Sequence, residues 1–190
     1  VLVNNAWGGH EFFAPSSFNA PLWEQPIVQW DAMFSNGVRN HIVTLQATGP
    51  LLRRSAGRLV AAITFWDDDR YLSGNVFYDL AKAAINRLAF AAAQELRADG
   101  IASVAISPGF MQTELVLANH TSSGKDTAAP AGSETPHYLG RAVVALASDP
   151  GVISVTGSVL RVGDLARRYG FTDLDGSQPP PFTLPTADSQ

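Results

Sequence analysis

Tyr78 and Lys82 stand one helical turn apart in Tyr78-Asp79-Leu80-Ala81-Lys82, inside an otherwise alanine-rich, apolar stretch. Lys82 is one of only two lysines, against eleven arginines, so this position keeps the one basic side chain that readily gives up and regains a proton. A phenol titrates near pH ~10, and a neighbouring cation favours phenolate, which makes such a pair able to donate or accept a proton at a carbonyl or alcohol oxygen. Composition alone yields a Tyr with a Lys four residues on roughly 0.04 times per chain of this length. The pair gains meaning only from the elements that position it.

Those elements alternate. Val1–Val3 reads as a buried strand that ends in the glycine-rich turn Asn4-Asn5-Ala6-Trp7-Gly8-Gly9. Residues 10–29 read as an aromatic and proline-containing loop. Met33, Val38, Ile42, Leu45 and Leu52 then recur at helical spacing, predicting one helix over 30–52. Leu59–Thr64 is a second strand, followed by a loop to Phe77 that carries Asp67-Asp68-Asp69. Tyr78–Ala98 is an amphipathic helix closed by Gly100, and Ala102–Ser107 is a third strand stopping at Pro108-Gly109. Residues 118–133 read as a mobile excursion. Thr135 and Pro136 open a helix to about Ala147, Ser158–Val162 is a last strand, and 177–190 have the composition of a disordered tail. Strand–helix alternation predicts an α/β domain with a parallel sheet and helices on both faces, over residues 1–176. In such sheets ligands sit beyond the carboxyl ends of the strands. Asn4-Asn5, Thr64 and Pro108-Gly109 each follow a strand and would line that edge with Tyr78 and Lys82.

Composition narrows the function classes. With 46% hydrophobic and 16% charged residues, 190 residues suffice for one sizeable core. A net charge of −4 argues against a nucleic-acid surface, and no apolar run reaches membrane-spanning length. The absence of cysteine excludes thiolate chemistry and fits a cytoplasmic protein. His10, His41, His120 and His137 are scattered and lack ligand spacing, so no metal site is expected. The three aspartates read as a solvated loop.

Asn-Asn-Ala after a strand, Tyr-x-x-x-Lys on a helix and Pro-Gly followed by Thr113, in this order, resemble the short-chain dehydrogenase/reductase (SDR) family. Longer stretches such as Pro108-Gly109-Phe110-Met111-Gln112-Thr113-Glu114-Leu115 and Asp164-Leu165-Ala166-Arg167-Arg168-Tyr169-Gly170 narrow the resemblance to one subgroup and carry it to about Gly176. The resemblance implies a Rossmann-like doubly wound sheet and hydride transfer between NAD or NADP and a small-molecule carbonyl or secondary alcohol. Tyr78 would be the proton donor or acceptor. Lys82 would hold the nicotinamide ribose and lower the Tyr78 pKa. Asn5, Ala6, Pro108, Gly109, Phe110 and Thr113 would contact the cofactor, and a homo-oligomer is the family expectation.

The chain also departs from the family pattern. A serine expected about thirteen residues before the Tyr falls on Phe65, leaving Thr64 as the nearest hydroxyl; Thr64 reads equally as a plain strand residue. The family's helix asparagine falls on Gly37, flanked by Asn36 and Asn40, and Trp7 stands where a glycine is usual. The first strands and phosphate-binding glycine-rich turn of the family are absent from these residues, so the sequence is expected to be the C-terminal part of a longer protein. The competing expectation is a scaffold of the same fold that no longer catalyses. Trp7, Phe12, Phe13, Trp23, Trp66 and Phe110 are the aromatic candidates for an apolar substrate pocket.

Overall fold

A computed structural model describes residues 1–9, 20–55, 58–71, 74–122 and 132–184, with only the backbone at 119–122. Leu2–Asn4, Leu59–Ile63, Ala102–Ser107 and Val159–Arg161 are strands β1 to β4. They form a four-stranded sheet in the order β1-β2-β3-β4, parallel throughout, with Val3 beside Ala61, Ala61 beside Val104 and Ile106 beside Leu160. All six β3 residues are buried, as expected of a strand covered on both faces.

The period-two alternation of β2 divides the core. Val60 turns toward Leu52, Ala92, Leu96 and Ile101. Its neighbours Leu59 and Ala61 turn the other way, toward Tyr138, Leu139, Ala142, Leu146 and Leu165. The first face carries helix α1 (Ile27–Met33), α2 (Asn40–Arg54) and α3 (Val76–Leu96); the second carries α5 (Pro136–Ser148) and α6 (Val162–Tyr169). The doubly wound α/β arrangement expected from the sequence is thus present over the part of the fold this chain contains.

Three differences from the sequence reading matter for the site. The helix expected over 30–52 is interrupted, because Phe34–Arg39 forms a π-helical turn between α1 and α2. Residues 118–122 belong to helix α4 (Glu114–Ser122) rather than to an excursion, while 123–131 lie outside the described residues. Residues 177–184, assigned by composition to a disordered tail, make specific contacts, and 185–190 lie outside the described residues. The Tyr138 hydroxyl donates to the Pro179 carbonyl at 3.2 Å, and the Leu184 N–H donates to Asp67 Oδ2 at 2.7 Å. Pro180 and Pro181 press on Gly163, where a Cβ would come within 2.3 Å of the Pro181 nitrogen. Proline costs little ordering entropy, so a proline-containing segment can be held by few contacts.

Candidate active site

Helix α3 begins where the chemistry is needed because Asn75 caps it: its Oδ1 accepts the Tyr78 N–H at 2.8 Å. That bond fixes the first turn, and the Tyr78 ring lies against Trp7 and Phe65, which follow β1 and β2. Phe77, Ala81, Ile85, Ala89, Ala92, Ala93 and Leu96 bury the inner face of α3, and Lys82 lies beside Ala81 at its margin, only 8% exposed.

The two residues meet through a third. The Lys82 ammonium lies 3.7 Å from the Trp7 ring centroid and 5.3 Å from that of Tyr78. Trp7 and Tyr78 pack edge-on at 5.6 Å, and Phe65 lies 6.1 Å from Tyr78. This enclosure is apolar enough to shift both groups. Burial lowers the Lys82 pKa to about 7 and raises the Tyr78 phenol above its ordinary value. Desolvation of the phenol is the larger influence on Tyr78 here and opposes the lowering by Lys82 that the resemblance implies.

The strand-end residues surround this pair unequally. Asn5 and Ala6 are exposed at the end of β1, and Phe110 is 47% exposed beyond β3. Pro108, Gly109 and Thr113 are half-buried, and Thr113 Oγ1 accepts the Val116 N–H at 3.4 Å at the start of α4. The Pro108-Gly109 turn is linked to the dyad by contacts: Phe182 packs against the Gly109 position and lies 5.8 Å from the Phe65 ring. A cavity of about 220 Å³ on the other side of Lys82 is bordered by Phe65, Trp66, Arg70, Asp79 and Asn86.

Of the two readings of Thr64, the hydrogen bonding favours the structural one. Its side chain is buried and its hydroxyl donates to the Lys82 carbonyl at 3.2 Å, which ties the end of β2 to α3. A hydroxyl engaged in this way is turned into the helix, so Thr64 anchors the lysine's backbone and the geometry gives no support to its polarising a substrate oxygen. Asn40 likewise turns back, its Nδ2 donating to the Asn36 carbonyl at 3.2 Å. The three aspartates have separate partners: Asp67 pairs with Arg70, Asp68 with Arg161 at 3.3 Å, and Asp69 accepts the Trp66 indole N–H at 3.1 Å. Trp23 is 83% exposed, and Phe12 and Phe13 lie outside the described residues.

A profile of the family described as enoyl-(acyl carrier protein) reductase matches residues 1–164. Human dehydrogenase/reductase SDR family member 1 is 36% identical over 185 residues, which cover 93% of this chain. The chain belongs to the short-chain dehydrogenase/reductase family. The mouse protein of the same name is equally similar, and this SDR chain spans 58% of the length of each. Among solved structures, a short-chain dehydrogenase from Mycobacterium thermoresistibile superposes with a TM-score of 0.73 at 24% identity, covering 99% of this chain and 65% of that one. The structure of ElxO with NADP bound gives 0.69 at 18% identity, covering 85% of this chain and 64% of that one. At such identities these likenesses speak for the SDR fold alone.

Sequence reasoning overlooked two buried groups at this edge of the SDR sheet. His41, on α2, lies within a hydrogen bond of the Ala6 carbonyl through Nε2 at 3.3 Å; burial lowers its pKa and the charge of Lys82 adds to the effect. Glu134, beside the Pro108-Gly109 turn, is 1% exposed; burial pushes its carboxyl up to about 7 against the opposing pull of the Gly109 N–H. A Cβ on Gly109 would fall 2.9 Å from Glu134 Oε2, so a side chain there would push on the carboxyl packed against this turn. The only signal in the sequence was an acid just before a helix start, which usually marks a solvated first turn.

Proposed function

We propose that this chain is the catalytic and substrate-binding part of an NAD(P)-dependent oxidoreductase acting on a small carbonyl compound or secondary alcohol. The observation that carries the reading is the Tyr78 and Lys82 pair, held together at the carboxyl end of a parallel sheet with the amine 5.3 Å from the phenol ring. The strand-end residues suit a dinucleotide: Asn5, Ala6 and Phe110 offer exposed surface, and the Gly109 turn presents backbone with no side chain of its own. Bound NAD or NADP would supply or receive the hydride. Tyr78 would exchange the proton at the substrate oxygen, and Lys82 would hold the ribose and act through its charge on the phenol. Asn5, Ala6, Pro108, Gly109, Phe110 and Thr113 would border the cofactor. Ile42, Val43, Leu51 and Phe90 leave apolar surface on α2 and α3, which supports association with a second copy.

The test is carbonyl reduction by the full-length protein and its Tyr78→Phe variant. The expected result is loss of turnover by at least about 100-fold, with cofactor binding nearly unchanged. Unchanged turnover would remove Tyr78 from the proton path. A second reading, a non-catalytic scaffold, is favoured by the Thr64 hydroxyl being committed to the Lys82 carbonyl at 3.2 Å. Dinucleotide binding without turnover of any carbonyl or alcohol in the wild-type protein would select it.

A further inference from the structure

We propose that Trp7 is a positioning residue for the dyad: its indole, seated between Gly9 and Gly37, holds the Lys82 amine beside the Tyr78 ring and shuts water out between them. The seat is built on both sides. A Cβ on Gly9 would lie 2.4 Å from Trp7 Cζ2, and one on Gly37 would lie 2.7 Å from Trp7 Cζ3. Distances this short leave no room for a methyl group, so both positions are glycine because the indole occupies their side-chain space. Gly37 lies in the π-helical turn, whose widened backbone lets the ring approach the helix axis.

The same indole then serves two polar neighbours. Its face lies 3.7 Å from the Lys82 ammonium, the geometry of a cation–π contact, and it packs edge-on against Tyr78. No carboxylate forms an ion pair with Lys82 among the described residues. The charged groups that face the lysine are His41 from α2 and, across the cavity on its far side, Asp67, Asp69 and Arg70 from the loop after β2, with Asp79 from its own helix. Asp67 is engaged by Arg70 and Asp69 by Trp66, so water exclusion by the aromatic rings is the main influence left on the amine. Burial in this enclosure lowers the Lys82 pKa to about 7. A Trp7 that positions the amine in this way keeps it able to change charge near neutral pH, where a solvated lysine would stay charged.

The functional meaning rests on the dyad having the role proposed above, but the test reads Lys82 itself. In the full-length protein with ¹³Cε- or ¹⁵Nζ-labelled lysine, the signal missing from the Lys82→Arg variant is that of Lys82. In the wild type the Lys82 midpoint is expected near 7. Trp7→Gly, which hydrates the amine, should raise the midpoint by about one pH unit or more, and Trp7→Phe, which restores apolar cover over the amine, should recover at least half of that shift. Gly37→Ala should reproduce the Trp7→Gly shift, because its methyl displaces the indole from the opposite side. That variant and Trp7→Phe decide the matter if Trp7→Gly does not fold. A midpoint within about 0.3 units of wild type in the Trp7→Gly or Gly37→Ala protein, or a wild-type midpoint near ~10.4, overturns the proposal. If the shifts appear and the full-length protein nevertheless turns over no carbonyl or alcohol, the oxidoreductase reading falls and the positioning of Lys82 stands.

Discussion

Glu134→Gln offers the sharpest test of the electrostatics at the strand ends. The carboxyl is buried, Oε1 has no hydrogen-bond partner among the described residues, and Asp173 adds a like charge to the desolvation that pushes its pKa from 4.5 up to about 7. A group that binds its proton more tightly when folded stabilises the fold fully below its unfolded pKa and loses that contribution as pH rises through the folded value. At about 1.4 kcal/mol per pH unit, the span from 4.5 to about 7 amounts to ~3 kcal/mol, an upper figure because relaxation and entering water reduce it. Glutamine copies the protonated acid and does not titrate. Urea unfolding of both proteins between pH 4.5 and 8 isolates the effect, since other titrations cancel in the difference. The wild-type stability should decline relative to Glu134→Gln by about 2–3 kcal/mol across pH 4.5 to 7 and then level off. A difference independent of pH would refute the argument, showing that Glu134 is ionised and adequately solvated or paired in the folded chain.

Three further outcomes follow from single contacts. Gly163→Ala places a methyl group on the backbone of Pro180 and Pro181 and should cost about 1–3 kcal/mol in thermal unfolding, with proteolysis after residue 176 accelerated. Asn75→Ala removes the cap on the Tyr78 N–H and should cost about 1 kcal/mol, read by chemical denaturation. Thr64→Val leaves the buried Lys82 carbonyl without its hydroxyl donor and should destabilise by about 1–2 kcal/mol, whereas carbonyl reduction by the full-length protein should change by less than about tenfold.

The sheet was legible because a strand buried on both faces has an unmistakable pattern. Ala102–Ser107 is apolar or small throughout and bounded by Gly100 and Pro108, and the structure returns it residue for residue. Tyr78 and Lys82 were legible for a related reason, since four residues on a helix fix two side chains on one face whatever the tertiary context. Thr64 was not, because a hydroxyl at a strand end can turn either toward the cleft or toward the adjacent helix, and only the packed carbonyl of Lys82 decides between them. The π-helical turn was equally hidden: Met33, Val38 and Ile42 fit a regular helix, and the interruption coincides with the indole of a residue thirty positions away. Glu134 shows the same limit for charge, as an acidic residue in sequence carries no mark of whether it will be hydrated.

The contacts of residues 179–184 have a consequence for how the protein is made. Leu184 reaches back 117 residues to Asp67, and Phe182 comes to lie on Phe65, beside the dyad. Both targets leave the ribosome long before the segment that covers them, at synthesis rates of about 5–20 residues per second. For several seconds the nascent chain can carry Tyr78 and Lys82 on strands β1 to β3 while the edge is still open. Closure over Phe65 and Gly109 waits for residues 179–184, so a chain cut between Gly170 and Pro179 would carry the dyad on a sheet whose edge is uncovered.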